Sequence, residues 1–324
     1  MSEANRVKKV AVVGATGRVG KYVVKALLDG GKYEVTAVTR SETEMPEGVK
    51  VAIVSYDDPT SLAKALEGQD ALVITLSVRV PRDTQFKLIE AAAAANVRFV
   101  LPNEWGIESS HGTLGVDTLM GPPAEAAKRK IEELGRSSWI AMTTGYWVTH
   151  SLASPEAFGF DLKNKSVTFF DEGTAKINTI TWELSGQAAA NLLSLPIEPE
   201  APGAPALSDY KNKAVYVSSW LLSQKDIFAR VLQVSRTKES DWAIKYEPAV
   251  ERYTEAKKEL VAGVPSAFTK MLYTRTFYNN GDGDFESRHG LDNDKLGLPK
   301  GTQESLDAEI QKAIEMAEAG YHYR

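Results

Sequence analysis

An α/β fold built on a doubly wound parallel sheet is predicted by three features of this sequence. Apolar, β-branched runs of strand length alternate with segments of helical periodicity through the first half of the chain. A glycine-rich turn joins the first run directly to the first helix. Beyond His150 the alternation loosens, as expected of a second, smaller lobe of α+β type.

Residues 7–13 form a continuous β-branched run, the pattern of a strand buried on both faces. Residues 22–29 carry apolar side chains at helical spacing and stop at Gly30-Gly31. Strands follow at 34–39 and 49–55. Asp58-Pro59-Thr60-Ser61 opens a helix that Gly68 closes, and 71–76 is the fourth strand. An alanine-rich helix at 83–95 leads to the fifth strand, 98–101. Pro123 suits the first turn of a helix reaching 134, and 139–143 is the sixth strand. Right-handed crossovers then bring ligand-binding residues to the carboxyl ends of the strands, just after Val13, Thr39, Val54, Thr75 and Leu101. Further on, strands are expected at 167–170 and 177–181, a helix at 184–195 and a proline-rich surface loop at 196–208. A strand-helix pair at 214–218 and 225–234 is free to rejoin the sheet.

Composition narrows the function classes. The 324 residues are 43% hydrophobic and 25% charged, ordinary for a globular chain. A net charge of -5 supplies no broad attraction to nucleic acid. With no cysteine, disulfides, thiolate metal sites and cysteine nucleophiles are excluded. The histidines at 111, 150, 289 and 322 show no metal-ligand spacing. Asn280-Gly281-Asp282-Gly283-Asp284 starts like a calcium loop, but Phe285 replaces the required glycine, and a surface loop is expected. No apolar stretch is long enough to span a bilayer and no secretory h-region is present, so a cytoplasmic or nuclear location is expected.

Gly14-Ala15-Thr16-Gly17-Arg18-Val19-Gly20 has the spacing GxxGxxG between strand and helix. The first glycine permits the sharp turn, the second a close approach to a pyrophosphate, the third tight helix–strand packing. N–H groups at the helix start then face phosphate. This is the context of a Rossmann dinucleotide site, with Gly14, Thr16, Gly17, Arg18, Val19 and Gly20 as cofactor contacts; the alternative is a structural tight turn. At the end of the second strand Thr39-Arg40 stands where an NAD-preferring protein usually carries an acid. A guanidinium there suits the 2′-phosphate of NADP(H), with Arg18 as a helper, unless Glu42 or Glu44 claims Arg40. Asp57 is placed to meet the adenine edge or, alternatively, neighbours a helix cap at Asp58. Thr75 and Asn103, after the fourth and fifth strands, and Lys128 on the helix before the sixth, complete the predicted cofactor set. The expected organisation is a Rossmann domain at 1–150 and a substrate lobe at 151–324.

Catalysis by a Tyr-x-x-x-Lys pair is expected on the helix before the sixth strand, where lysine tunes a tyrosine for proton transfer. At that position Ala124 stands four residues before Lys128, and the tyrosine is missing. The string from Tyr253 to Lys257 lies far from the expected place and reads as coincidence.

That absence, together with the segment Arg98-Phe99-Val100-Leu101-Pro102-Asn103-Glu104-Trp105-Gly106, resembles the NmrA-like atypical short-chain dehydrogenases, in the fungal branch similar to plant isoflavone reductases. GATGRVG resembles the family's GxTGxxG turn, and Leu291-Asp292-Asn293-Asp294-Lys295-Leu296-Gly297-Leu298 resembles a C-terminal block of its fungal members. The resemblance implies a catalytic lysine near the nicotinamide. The K-x-x-(I/V)-E pattern of NmrA-like proteins selects Lys128, whereas the plant-type register falls one turn earlier, near Glu125. A solvated helix lysine beside Arg129 and Lys130 is the competing reading. Asn103 replaces the family's usual serine, and Glu104 is expected to anchor its loop through backbone N–H groups. Trp105, His111, Tyr146, Trp147 and His150 are the expected substrate residues, the last three as an aromatic wall with one polar group. His111 is either a proton carrier or simply exposed.

Two functions follow. The first is NADPH-dependent reduction of a small aromatic or conjugated molecule, with Lys128 assisting. The second is a non-catalytic NADP-sensing regulator that contacts a protein partner. A homodimer is compatible with either.

Overall fold

The computed structural model describes residues 3–77, 80–81 and 83–321; His322 lies outside them. In chain order the strands are β1 (Lys9–Val13), β2 (Glu34–Thr39), β3 (Val49–Ile53), β4 (Ala71–Ile74), β5 (Phe99–Leu101), β6 (Trp105–Gly106) and β7 (Ser138–Thr143), then β8 (Tyr146–Trp147), β9 (Phe160–Asp161), β10 (Ser166–Phe170), β11 (Lys176–Ile180), β12 (Lys213–Tyr216), β13 (Trp220–Ser223) and β14 (Ala243–Glu247). The main sheet has the order β12-β7-β5-β4-β1-β2-β3, with the two-residue β6 attached to β7. Every pairing in it is parallel. The order reverses between β1 and β4, the switch point at which doubly wound sheets open a ligand crevice. The strand left free to rejoin the sheet does so as β12, in register with β7 from Lys213 opposite Ile140 to Tyr216 opposite Thr143.

Alternation along the strands sorts the core. Val10, Val12, Val35 and Ala37 point to one face, where Val23, Val24 and Leu27 of helix Gly20–Asp29 meet Leu184, Ala188 and Leu192 of helix Trp182–Ser194. Those two helices touch so closely that a Cβ on Gly186 would lie 2.3 Å from the Tyr22 carbonyl oxygen. Ala11, Val13, Leu72 and Ile74 point to the other face, against helices Pro59–Leu66, Thr84–Ala94 and Gly121–Leu134.

A second core, rich in phenylalanine, gathers Phe158, Phe160, Phe169, Phe170, Phe228 and Phe277 between two three-stranded sheets, β14-β10-β9 and β13-β11-β8. Helices Ala267–Thr276 and Gln303–Glu318 close it. The block 291–298 straps the edge of the main sheet. Asn293 bonds both the N–H and the carbonyl of Ser218, and Asp292 accepts from the Tyr216 N–H. One expectation needs correction. The proline-rich loop at 196–208 is not wholly on the surface, because Ile197 and Leu207 are buried in the first core and the chain bonds back on itself between Leu207 N–H and the Pro196 carbonyl.

Candidate cofactor and active site

The glycine turn is sterically obligatory at its ends. Gly14 has φ +78°, and a Cβ there would lie 2.3 Å from the Thr75 carbonyl oxygen. A Cβ on Gly20 would lie 2.1 Å from the Gly14 carbonyl oxygen. Thr75 seals the turn from below, its hydroxyl donating to the Val13 carbonyl (2.8 Å) and packed under Gly14. Thr16 and Arg18 are exposed, while Val19 is buried and offers a ligand its backbone alone. No side chain caps the start of helix Gly20–Asp29. The backbone-filled cradle and uncapped helix start fit the phosphates of a dinucleotide.

At the ends of β2 and β3 a cleft of about 440 Å³ is lined by Arg40, Tyr56, Asp57, Thr84 and Lys87, among others. Arg40 is exposed, its guanidinium carbon 5.9 Å from the Tyr56 ring centroid. Glu42 and Glu44 form no ion pair with it among the described residues. Asp57 is also exposed and pairs with the Lys87 ammonium at 2.7 Å; Asp83 does so at the same distance. Hydrogen bonds to Asp57 and Asp83 push the Lys87 pKa up to about 12. Capping falls to Asp58, which accepts from the Thr60 N–H at 3.0 Å.

After β5 the chain holds itself in place. The Asn103 N–H donates to Gln85 Oε1 (2.7 Å), and its side-chain amide donates to the Leu76 carbonyl (3.0 Å). The Trp105 indole N–H donates to the Ile74 carbonyl (2.8 Å), so this side chain belongs to the first core. Glu104 is buried, and its donors correct the expectation of a backbone anchor. They are side chains: Lys128 Nζ at 3.1 Å and the Ser109 hydroxyl at 2.5 Å, both to Oε1. Its Oε2 is buried with no hydrogen-bond partner among the described residues. Lys128 is only 5% exposed. Its ammonium also reaches Glu125 at 3.2 Å and lies 5.0 Å from the Trp139 ring centroid. The solvated reading therefore falls. Lys128 shares the inward face of its helix with Ala127 and Ile131, whereas Arg129 is exposed and Lys130 pairs with Glu90 at 2.8 Å.

The predicted substrate residues divide. His111 Nε2 meets Asp282 Oδ1 at 3.2 Å, and Asp282 also pairs with buried Arg275 (2.8 Å), which holds Asp117 at 2.7 Å. The stretch expected as a plain surface loop thus turns Asp282 inward, while Asp284 caps a short helix by accepting from Ser287 N–H (2.9 Å). Among the described residues no group of three or more acidic or histidine side chains could hold a metal. Tyr146 points into the second core, stacked on Tyr273 with centroids 4.0 Å apart. Trp147 points the other way, its indole N–H donating to the Ser185 hydroxyl (3.1 Å). Adjacent strand residues face opposite sides, so the three-residue aromatic wall does not form. His150 is buried, with Nδ1 2.7 Å from the Tyr321 hydroxyl. Burial, then the nearby Arg18 charge, lowers its pKa to about 3, so at neutral pH it is an uncharged hydrogen-bonding group.

The string from Tyr253 to Lys257 is spent elsewhere. The Tyr253 hydroxyl donates to the Asp117 carbonyl (3.0 Å), and burial pushes its pKa up, the reverse of what a proton-donating tyrosine needs. A cluster that sequence reasoning missed surrounds buried Glu108. It accepts from Tyr216 (2.9 Å) and Arg288 (2.8 Å) and pairs with His289 (2.9 Å). Burial alone would raise the Glu108 carboxyl, but the hydrogen bonds from Arg288 and Tyr216, with the charge of His289, outweigh it and hold the group below the usual carboxylate range. Nothing in the spacing of residues 108, 216 and 288 signals this meeting.

Comparison with known proteins adds four findings. Residues 14–144 match a family described as NAD(P)H-binding. The oxidoreductase aprR of Aspergillus flavus is 26% identical over 313 residues, covering 94% of this chain and 99% of that protein. In shape, a crystal structure of isoflavone reductase aligns over 97% of this chain and 100% of that one, with TM-score 0.71 and 17% identity. A quinone oxidoreductase from Escherichia coli, solved with NADPH, covers 93% and 98% with TM-score 0.66 and 19% identity. Among the described residues no helix is long and apolar enough to cross a membrane.

Proposed function

We propose that the chain is an NAD(P)H-binding oxidoreductase of the NmrA-like, isoflavone-reductase-like kind, and that it uses NADPH to reduce a small aromatic or conjugated substrate. The observation that carries the cofactor choice is Arg40, exposed at the mouth of the cleft beyond β2 with no acidic neighbour paired to it among the described residues. The substrate class is supported by the chemistry shared by two structural neighbours, an isoflavone and a quinone reductase. A sensor reading gains no such support from the three relatives compared above, which are named as oxidoreductases or reductases.

Gly14, Gly17 and Gly20 would admit the cofactor's phosphates, Thr16 and Arg18 would flank them, and Arg40 would take the 2′-phosphate. When bound, the nicotinamide supplies the hydride. Asn103 fixes the loop beyond β5 through Gln85 and Leu76 and would shape the floor of the crevice. Lys128 is assigned to proton handling, held by Glu104 beyond the end of β5, where doubly wound sheets gather ligands.

Titrating the protein with NADPH and with NADH by fluorescence, then following oxidation against a panel of quinones, enones and flavonoid-like compounds, tests this reading. Selective NADPH binding with consumption on the panel carries it. Binding without consumption across the panel overturns the reductase assignment, and failure to bind either dinucleotide overturns the cofactor site. Arg40→Glu is expected to weaken NADPH binding by about 10- to 100-fold, the loss of a charge-assisted contact, with little change for NADH. An unaltered NADPH/NADH affinity ratio in that variant removes Arg40 from the 2′-phosphate.

A further inference from the structure

Helix Gln303–Glu318 ends in a fixed reversal. Gly320 has φ +77°, its N–H bonds the Ala317 carbonyl, and the Tyr321 N–H bonds the Met316 carbonyl at 2.9 Å. This glycine-terminated hydrogen-bond pattern delivers the next side chain in a set direction. The helix itself is held by Leu306, Ile310 and Ala313 in the second core, and by Glu309, which takes a hydrogen bond from Thr149. Tyr321 is thereby brought back from the second lobe onto the glycine turn of the first. Its hydroxyl meets His150 Nδ1 at 2.7 Å, and its ring centroid lies 5.5 Å from the Arg18 guanidinium carbon. Arg18 stands between the second and third glycines of the turn.

We infer that Tyr321 is a positioning residue for the cofactor: by stacking under Arg18 it presets that guanidinium for the pyrophosphate. The stack lies beside His150, in the chain that leaves β7, and in the sheet order β7 and β2, which Arg40 follows, are on opposite sides of β1. Arg18 is therefore held away from the 2′-phosphate end of the crevice. Its charge serves NADPH and NADH alike, and discrimination is left to Arg40. The physical gain is preorganisation, because an arginine side chain loses considerable rotamer freedom when it must be ordered by the ligand itself. His150, uncharged at neutral pH, holds the tyrosine hydroxyl without repelling the guanidinium.

The inference rests on the dinucleotide reading, and a double-mutant cycle separates the two. Dissociation constants for NADPH and NADH are measured by fluorescence titration on wild type, Tyr321→Ala, Arg18→Ala and the double variant. Tyr321→Ala is expected to raise both constants about two- to fivefold, the scale of an exposed cation–π contact. Arg18→Ala is expected to raise both by about tenfold, and the double variant to be no worse than Arg18→Ala. Tyr321→Phe keeps the ring and is expected within about twofold of wild type, which shows that the alanine effect is not a loosened helix end. Additive effects in the cycle, or a changed NADPH/NADH ratio in Tyr321→Ala, overturn the inference while leaving the dinucleotide site intact. Wild-type protein that binds neither dinucleotide overturns the reading beneath it, and the inference with it.

Discussion

Lys128→Met is expected to destabilise the protein by about 3–5 kcal/mol and to abolish turnover. The side chain is buried, and its ammonium is the charged partner of Glu104, which is itself only 7% exposed. Removing it leaves a carboxylate in the interior with the Ser109 hydroxyl on one oxygen and nothing on the other. A buried pair broken on one side costs more than a pair replaced on both. The double variant Lys128→Met, Glu104→Leu is therefore expected to recover stability to within about 1 kcal/mol of wild type by chemical denaturation. Turnover is the discriminating readout. If Lys128 handles a proton, the double variant stays inactive while its NADPH dissociation constant lies within about threefold of wild type. Activity that returns with stability would make Lys128 a structural residue only.

Acidification from pH 7 to pH 5 is expected to cost about 2 kcal/mol of stability through His150 alone. Burial, and secondarily the charge of Arg18, lowers the folded-state pKa to about 3 from the ordinary value of 6.5. The unfolded chain therefore takes up a proton first as pH falls. Stability from this group is complete above about pH 6.5 and is lost progressively toward pH 3. Denaturation midpoints of wild type and His150→Phe at the two pH values check this, since phenylalanine can occupy the space among Trp147, Trp182 and Tyr321. The variant should lose less stability than wild type on acidification. Equal losses would show that His150 is not the neutral, desolvated group the geometry describes.

Much of the fold was legible because its signals are local. Six apolar runs separated by helical periodicity, with GxxGxxG between the first strand and helix, determine a doubly wound sheet and the place of its glycine turn. The basic residue at Arg40 is read in the same way, from its position after β2. The catalytic and substrate ends were not legible to the same degree. That Lys128 is inside depends on which face of its helix meets the sheet, and its partner Glu104 is fixed by a loop whose hydrogen bonds run to Gln85, Leu76 and Ile74. Tyr146 and Trp147 are neighbours in sequence yet belong to different cores. Glu108 meets Tyr216, Arg288 and His289, and Arg18 meets Tyr321, across separations that leave no periodic trace. Sequence alone determined the order of elements and the place of the glycine turn, because backbone propensity and glycine sterics act between near neighbours. Only the tertiary structure decided which charges are buried together, because that depends on which helix faces, loops and distant segments pack against one another.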